Sequence, residues 1–221
     1  MHLPLSHANN NSGVLWTWWL RALIMRSLAV LLFAGMASGC SPRHLIIQGV
    51  ADELASQGSA AEDDLVLARE ASAFYLKLSE SLLKEAPGNL KLAEAVCAGF
   101  TQYAFAFVAT DAERVEAKDA KAAHRLRERA SRLYLRAQKH CMAALEATTP
   151  GFAAALARTD ASQWPKLRTD QIGVAYWAAA SWGGHISLSK DSPDIVADLP
   201  LAVRLATLAY GVKPDHGNGA L

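Results

Sequence analysis

Histidine and cysteine side chains are the groups in this 221-residue chain that most readily do chemistry. His140 and Cys141 are adjacent, but neighbours in a helix point about 100° apart and do not converge on one metal ion. His124 lies among charged residues and His185 near aromatic ones, and each position is more typical of structure than of a general base. The sequence carries no metalloprotease, serine-hydrolase or phosphate-loop motif. We therefore expect no enzyme, no metal and no cofactor, with a hydrolase acting through His185 as the least favoured alternative.

Cys40 ends an apolar run and is the residue with the most specific chemical context. Two arginines precede the run, residues 28–36 form its apolar core, and Ala37-Ser38-Gly39 supplies the small side chains that a signal peptidase needs. The sequence Ala-Ser-Gly-Cys resembles a bacterial lipobox, in which the cysteine thiol is acylated and becomes the new N-terminus. We therefore expect a lipoprotein signal peptide over residues 1–39 and lipidation of Cys40.

Two other interpretations of the N-terminus stay open. Residues 14–36 are long enough for one uncleaved membrane span, although Arg21 and Arg26 inside it would each cost on the order of 3 kcal/mol on insertion scales. Translation from Met25 would instead leave the cysteine motif intact. Ser41 after the cysteine resembles lipoproteins that are sent to the outer membrane. The body would then face the periplasm from the inner leaflet of that membrane, on a lipidated tether of residues 40–61.

Composition after residue 39 fits one exported domain. The remaining 182 residues, with 20 basic and 21 acidic side chains, can bury a core and show no charge excess that would attract nucleic acid. An oxidising compartment would permit a disulfide between Cys97 and Cys141. Both lie in alanine-rich amphipathic segments, where a free cysteine behaves as a small buried hydrophobe. A disulfide and two buried thiols both remain open.

Apolar residues recur at spacings of three and four, and no segment alternates over the length of a strand, so we predict an all-α domain over residues 62–221. A first helix should follow Asp63-Asp64, a second should begin at Asn89 and lie centrally, and Asp111 should start a long charged third helix. Later helices are predicted over residues 169–188, from Pro193 and over residues 201–210, with Gly183-Gly184 marking a kink or a close backbone approach.

Prolines at helix ends give a weak internal period. Pro87, Pro150 and Pro214 are separated by 63 and 64 residues, and each interval holds at least one helical hairpin. The period is nearly twice the ~34 residues of a tetratricopeptide repeat. We therefore expect an array of helical hairpins resembling degenerate tetratricopeptide repeats, an architecture that mostly binds partners.

Aromatic residues on three of the predicted helices are candidates to line a ligand cavity among alanine and glycine neighbours. Core packing is the competing explanation, because aromatic side chains dominate the cores of helical domains. The candidates are Phe100, Tyr103, Phe105, Phe107, Tyr134, Tyr176, Trp177 and Trp182.

Three segments carry a family resemblance. Residues 99–108, 132–137 and 176–182, followed by Ser189-Lys190-Asp191 and Asp198-Leu199-Pro200 in the same order, resemble the T component of tripartite ATP-independent (TRAP) transporters, the TatT family. The resemblance covers about residues 40–219.

That resemblance implies a non-enzymatic, periplasm-facing lipoprotein of tetratricopeptide-like helices. It further implies a homotrimer with an apolar pore or cavity in each protomer, which binds the periplasmic solute-binding protein of the transporter and a hydrophobic or carboxylate ligand. Members usually carry further helices beyond the position matching Gly217, so we expect this array to be shorter at its C-terminus. The alternative function is a general helical-repeat scaffold lipoprotein for envelope assembly, which would bind peptides.

Overall fold

Helices follow one another throughout the part of the chain that the computed structural model describes, residues 42–57 and 62–218, and no strand occurs there. The predicted all-α fold class with helical hairpins is therefore confirmed. The α-helices are α1 (Pro42–Gln57), α2 (Leu65–Glu85), α3 (Leu90–Tyr103), α4 (Thr110–Glu116), α5 (Ala120–Thr148), α6 (Phe152–Leu156), α7 (Ile172–Ser187), α8 (Pro193–Val196) and α9 (Leu199–Val212).

Side-chain caps fix where the longer helices begin. Asp64 accepts hydrogen bonds from two N–H groups in the first turn of α2, at 2.8 and 3.1 Å, and Asn89 accepts one from the first turn of α3 at 2.9 Å. Both starts were predicted from the sequence and are confirmed. These caps matter because the first N–H groups of a helix have no partner within it.

The predicted helix start at Asp111 is wrong. The chain runs without a break from Leu90 to Glu116 through a π-helix of six residues, Ala104–Ala109, and α5 begins only after Asp119, which caps it. Asp111 instead accepts two hydrogen bonds from the guanidinium of Arg69, at 2.7 and 3.1 Å. Its acidic side chain serves a contact between helices rather than a cap.

The long helix α5 lies at the centre, packed against α3 and α7. Its buried stripe includes Ala130, Ala137, Cys141 and Ala144, as the spacing predicted, while the many arginines of α5 point elsewhere. α7 in turn packs against α9, so consecutive long helices form successive antiparallel hairpins around one core.

Cys97 of α3 and Cys141 of α5 form a disulfide, which decides between the two states that the sequence left open. Their Sγ atoms lie within bonding distance, and the separation of their Cα atoms, 5.9 Å, is within the usual range for a bridge. The bridge joins the two central helices of the core.

A buried carboxylate joins α2 to α5. Glu80 is only 3% exposed, and its oxygens accept hydrogen bonds from the guanidinium of Arg136 and from Lys77 Nζ at 2.6 Å, with His140 Nε2 at 2.7 Å. Burial alone would raise the pKa of Glu80, but these partners outweigh it and hold the pKa at about 2. The charge is therefore buried as part of a fully paired cluster.

Gly184 provides the close approach that was one of the two predictions for Gly183-Gly184. A Cβ atom on Gly184 would lie 2.8 Å from the ring of Tyr134, whereas one on Gly183 would meet nothing within 4 Å. α7 continues through both residues to Ser187. Gly184 therefore lets the ring of Tyr134 lie against the backbone of α7.

α1 replaces part of the expected tether. Residues 42–57 are helical, Ala51 is fully buried, and the carbonyl of Leu54 accepts a hydrogen bond of 2.7 Å from the Tyr75 hydroxyl. Asn89 Nδ2 also donates to Asp52 at 2.9 Å. This segment of the 40–61 region therefore packs on the helical body. The predicted signal peptide and Cys40 lie outside the described residues.

Two apolar helical stretches, Leu90–Glu116 and Pro193–Val212, are long enough to cross a membrane by length and composition alone. The first contains α3, a core helix, for which such a composition is ordinary. The second exposes Leu199, Val203 and Tyr210 of α9. Arg204 ties α9 to the body, because it donates to the carbonyl of Arg158 at 2.7 Å.

Candidate functional site

A cavity of about 970 Å³ lies between α1, α2 and the continuous helix from α3 into the π-helix, with one residue contributed by α7. Its size is at the upper end of the range for small-molecule sites. The space exists because the facing positions are small. They are Ala55, Ala68, Ala71, Ala95, Ala98, Gly99 and Ala106.

Gly99 packs against Leu76 at this cavity. A Cβ atom on Gly99 would lie 2.5 Å from Leu76 Cδ2, so a larger residue there would require the Leu76 side chain to shift. Both residues line the cavity. The Gly99–Leu76 contact is therefore part of the cavity wall.

Aromatic side chains form the opposite part of the lining. Tyr103 and Phe107 pack edge to face, with ring centroids 5.3 Å apart, and Trp177 of α7 faces the same space. The guanidinium of Arg69 lies 5.2 Å from the centre of the Phe107 ring and is itself held by Asp111. Phe107 is thus fixed on one side by a cation–π contact and on the other by Tyr103.

The π-helix gives Phe107 its direction. Residues of a π-helix rotate less per position than those of an α-helix, so Phe107 no longer lies above Phe100, seven positions earlier. Thr110 Oγ1 donates to the carbonyl of Phe105 at 2.9 Å and stabilises the wider turn. Phe107 consequently faces the cavity, whereas Phe100 faces the core.

Polar side chains make up a substantial part of the lining. Lys91, Glu94 and Gln102 follow one another along α3, and Asp52, Ser56, Glu62 and Ser72 come from the other side. The carboxyl of Glu94 lies against the backbone of Gly173, where an added Cβ would be 2.1 Å from it. Burial raises the pKa of Glu94, and nearby His216 partly offsets that rise.

Three of the eight aromatic candidates, Tyr103, Phe107 and Trp177, line the cavity together. Among the others, Phe100 is buried beside Arg136 and stacks on His140, while Phe105 is 67% exposed on the outer side of the π-helix.

The remaining three candidates also lie elsewhere. Tyr134 is buried in a second small cluster with Ala104, Val108 and Ala130, and Trp182 is buried in the main core. Tyr176 contacts the rings of Trp177 and His216. The sequence could not separate these residues from those of the lining, because helical periodicity alone does not say which neighbouring helix a face will meet.

Sequence reasoning missed the contributions of Glu94, Tyr75 and α1 to the cavity. Glu94 did carry a signal, since it lies between two apolar pairs, Leu92-Ala93 and Ala95-Val96, and is the single acidic residue of α3. The part played by α1 could not be inferred, because its apolar residues do not gather on one face that would predict which surface it covers.

His185 does lie close to a hydroxyl, but the geometry does not favour a nucleophile. Its Nδ1 is 2.8 Å from Ser131 Oγ and 3.2 Å from the carbonyl oxygen of Ser131, to which an Nδ1–H can donate. Burial lowers the pKa of His185. Ser131 is buried in the middle of α5, where backbone N–H groups are already bonded within the helix and cannot stabilise an oxyanion. Together with Ser189, 3.0 Å from Ser131 Oγ, His185 links α5 to the end of α7.

Metal chemistry finds no support in the described part of the chain, where no group of three or more histidine, cysteine or acidic side chains is placed to hold an ion. The described α-helices thus form hairpins beside a cavity that is lined in part by aromatic side chains.

The chain belongs to the TRAP transporter T-component family, whose model matches residues 61–221. The predicted family is therefore confirmed, and membership fits a transport accessory rather than an enzyme. The chain is also similar to an uncharacterized protein of Treponema pallidum (strain Nichols), with 28% identity over 165 residues, which cover 72% of this chain and 51% of that protein. The chain thus spans about half the length of that relative.

Proposed function

We propose that this protein is an accessory of a TRAP-type transport system that binds the solute-binding component and shelters an apolar ligand in the cavity between α1, α2 and α3. Family membership over residues 61–221 carries the proposal. The cavity supports the second part, because small residues leave the space and Tyr103, Phe107 and Trp177 offer apolar and aromatic contact there.

Association with the solute-binding protein is tested by sedimentation of the full chain in lipid nanodiscs with the TRAP solute-binding protein of the same organism. A complex is expected with that protein and not with a solute-binding protein of an unrelated transporter. The subunit number from the same runs tests the trimer that the family resemblance implies. Failure to associate at concentrations where a known transporter pair binds would overturn the proposal.

Ligand binding is tested separately with N-phenylnaphthylamine, an uncharged probe that fluoresces in apolar sites, after subtraction of the signal from empty nanodiscs. The double variant Tyr103→Ala with Trp177→Ala should lose the signal while its melting temperature stays near that of the unchanged protein. Trp164→Ala is the matched control, because Trp164 does not line the cavity. Its ring packs against Arg204 instead, with 4.3 Å between the guanidinium carbon and the ring centre. Collapse of the fold in the double variant would favour core packing.

The location of the protein is part of the proposal. Acylation of Cys40 would anchor it at the periplasmic face of the outer membrane, and stable anchoring needs more than one acyl chain because each buried methylene contributes roughly 0.8 kcal/mol. Cys40→Ser should move the protein into the soluble fraction in a folded state. A variant that stays membrane-bound would support the uncleaved span instead.

A further inference from the structure

Glu94 lines the cavity with a carboxylate for which the described residues supply no hydrogen-bond donor. Among the residues that the structure describes, Glu94 makes no hydrogen bond and no ion pair within contact distance, and its interaction with His216 is electrostatic only. It is half-buried against Gly173, one helical turn before Trp177 on α7. A half-buried carboxylate without a donor is costly unless a ligand or water supplies one.

The other acidic groups on the lining are already engaged. Asp52 accepts from Asn89 Nδ2 at 2.9 Å, and Glu62 accepts from the backbone N–H of Asp64 at 2.9 Å. Lys91 is the one cationic side chain on the lining, and it is exposed. Arg69, close to Phe107, is paired with Asp111. The electrostatic balance inside the cavity is therefore negative and disfavours a carboxylate ligand.

The aromatic side chains of the lining also favour a positively charged ligand group. Tyr103, Phe107 and Trp177 present rings to the space that Glu94 adjoins, and ring faces attract cations. Alanine and glycine positions on α2 and α3 accept an aliphatic body. From these contacts we propose that the cavity binds an apolar molecule that carries a primary ammonium head group, with Glu94 accepting its hydrogen bonds.

This proposal deepens the ligand-sheltering part of the proposed function and rests on it. The test is calorimetry of the full chain in nanodiscs with three probes of equal chain length, n-octylammonium, n-octanol and n-octanoate, with the heats from empty nanodiscs subtracted. A charge-assisted hydrogen bond should make octylammonium bind about tenfold or more tightly than octanol, and octanoate should bind most weakly.

Variants identify the group responsible. Glu94→Gln keeps the shape and should remove the preference for octylammonium over octanol, whereas Glu113→Gln, a change at an exposed position of α4 outside the lining, should retain it. Lys91→Gln should leave octylammonium binding at least as strong. If Glu94→Gln does not fold, as judged by circular dichroism, the order of the three probes on the unchanged protein decides.

Three results would overturn the proposal: octanoate binding tightest and weakening in Lys91→Gln, equal binding of all three probes, or binding of none. Association with the solute-binding protein is measured on the same samples. A complex that forms without ammonium preference refutes only the ligand class, and ammonium preference without a complex refutes only the proposed partner.

Discussion

Replacing Glu80 with glutamine should remove a stabilising charge cluster and with it much of the acid sensitivity of the fold. In the folded protein the pKa of Glu80 lies at about 2, against 4.5 for the free side chain. Because the folded-state pKa is the lower one, the unfolded chain takes up the proton first as pH falls. The contribution is therefore complete above about pH 4.5 and is lost as pH falls toward about 2.

The size of the effect follows from the same difference. Each pKa unit corresponds to about 1.36 kcal/mol, so the full shift would be worth about 3.4 kcal/mol. Lys77 and Arg136 are 62% and 42% exposed, and water screens their part of the interaction. We therefore expect Glu80→Gln to lower the free energy of unfolding by about 2 kcal/mol near neutral pH.

The assay is urea denaturation followed by far-ultraviolet circular dichroism, repeated from about pH 7 down to about pH 2. The difference between the unchanged protein and Glu80→Gln should shrink steadily below about pH 4.5 and nearly vanish at about pH 2. Glu113→Gln, at an exposed position of α4, is the control and should change little at any pH. A Glu80→Gln deficit that is the same at both ends of the range would refute the electrostatic reasoning and point to packing.

Three further predictions concern the core. Reduction of the Cys97–Cys141 bridge, or its replacement by two alanines, should lower the free energy of unfolding by up to about 4 kcal/mol, because the bridge closes a loop with a sequence separation of 44. A urea midpoint that is unchanged by reductant would contradict this. Gly184→Ala should lower the stability of the fold by about 1–3 kcal/mol, because the added Cβ collides with an aromatic ring of α5. Gly183→Ala should be neutral or slightly stabilising, and the melting temperatures of the two variants provide the comparison. Asp119→Ala should cost about 1 kcal/mol by removing the cap of α5, measured by urea denaturation.

Local signals in the sequence predicted local structure well. Asp64 and Asn89 have short side chains that can accept from the following turn, and both cap helices as expected. Asp111 has the same chemistry but lies inside a helix, because Arg69 from α2 provides its partner. Capping chemistry alone does not distinguish a helix start from a contact between helices.

The candidate site was predictable only in part. Tyr103, Phe107 and Trp177 line the cavity, whereas Phe100 faces the core because the π-helix turns Phe107 away from it. A π-helix has no strong sequence signal, since its stability here comes from Thr110 and from packing between helices. The grouping of Glu94 with Gly173 likewise depends on how α3 crosses α7, which no single helix encodes.

The bridge between α3 and α5 has a mechanical consequence for the cavity. On one side α3 is covalently fixed to α5, so that wall is stiff. On the other side the described contacts of α1 are hydrogen bonds, such as the one from Tyr75 to Leu54, together with the burial of Ala51. A molecule too large for the resting volume would therefore displace α1 and leave α3 in place.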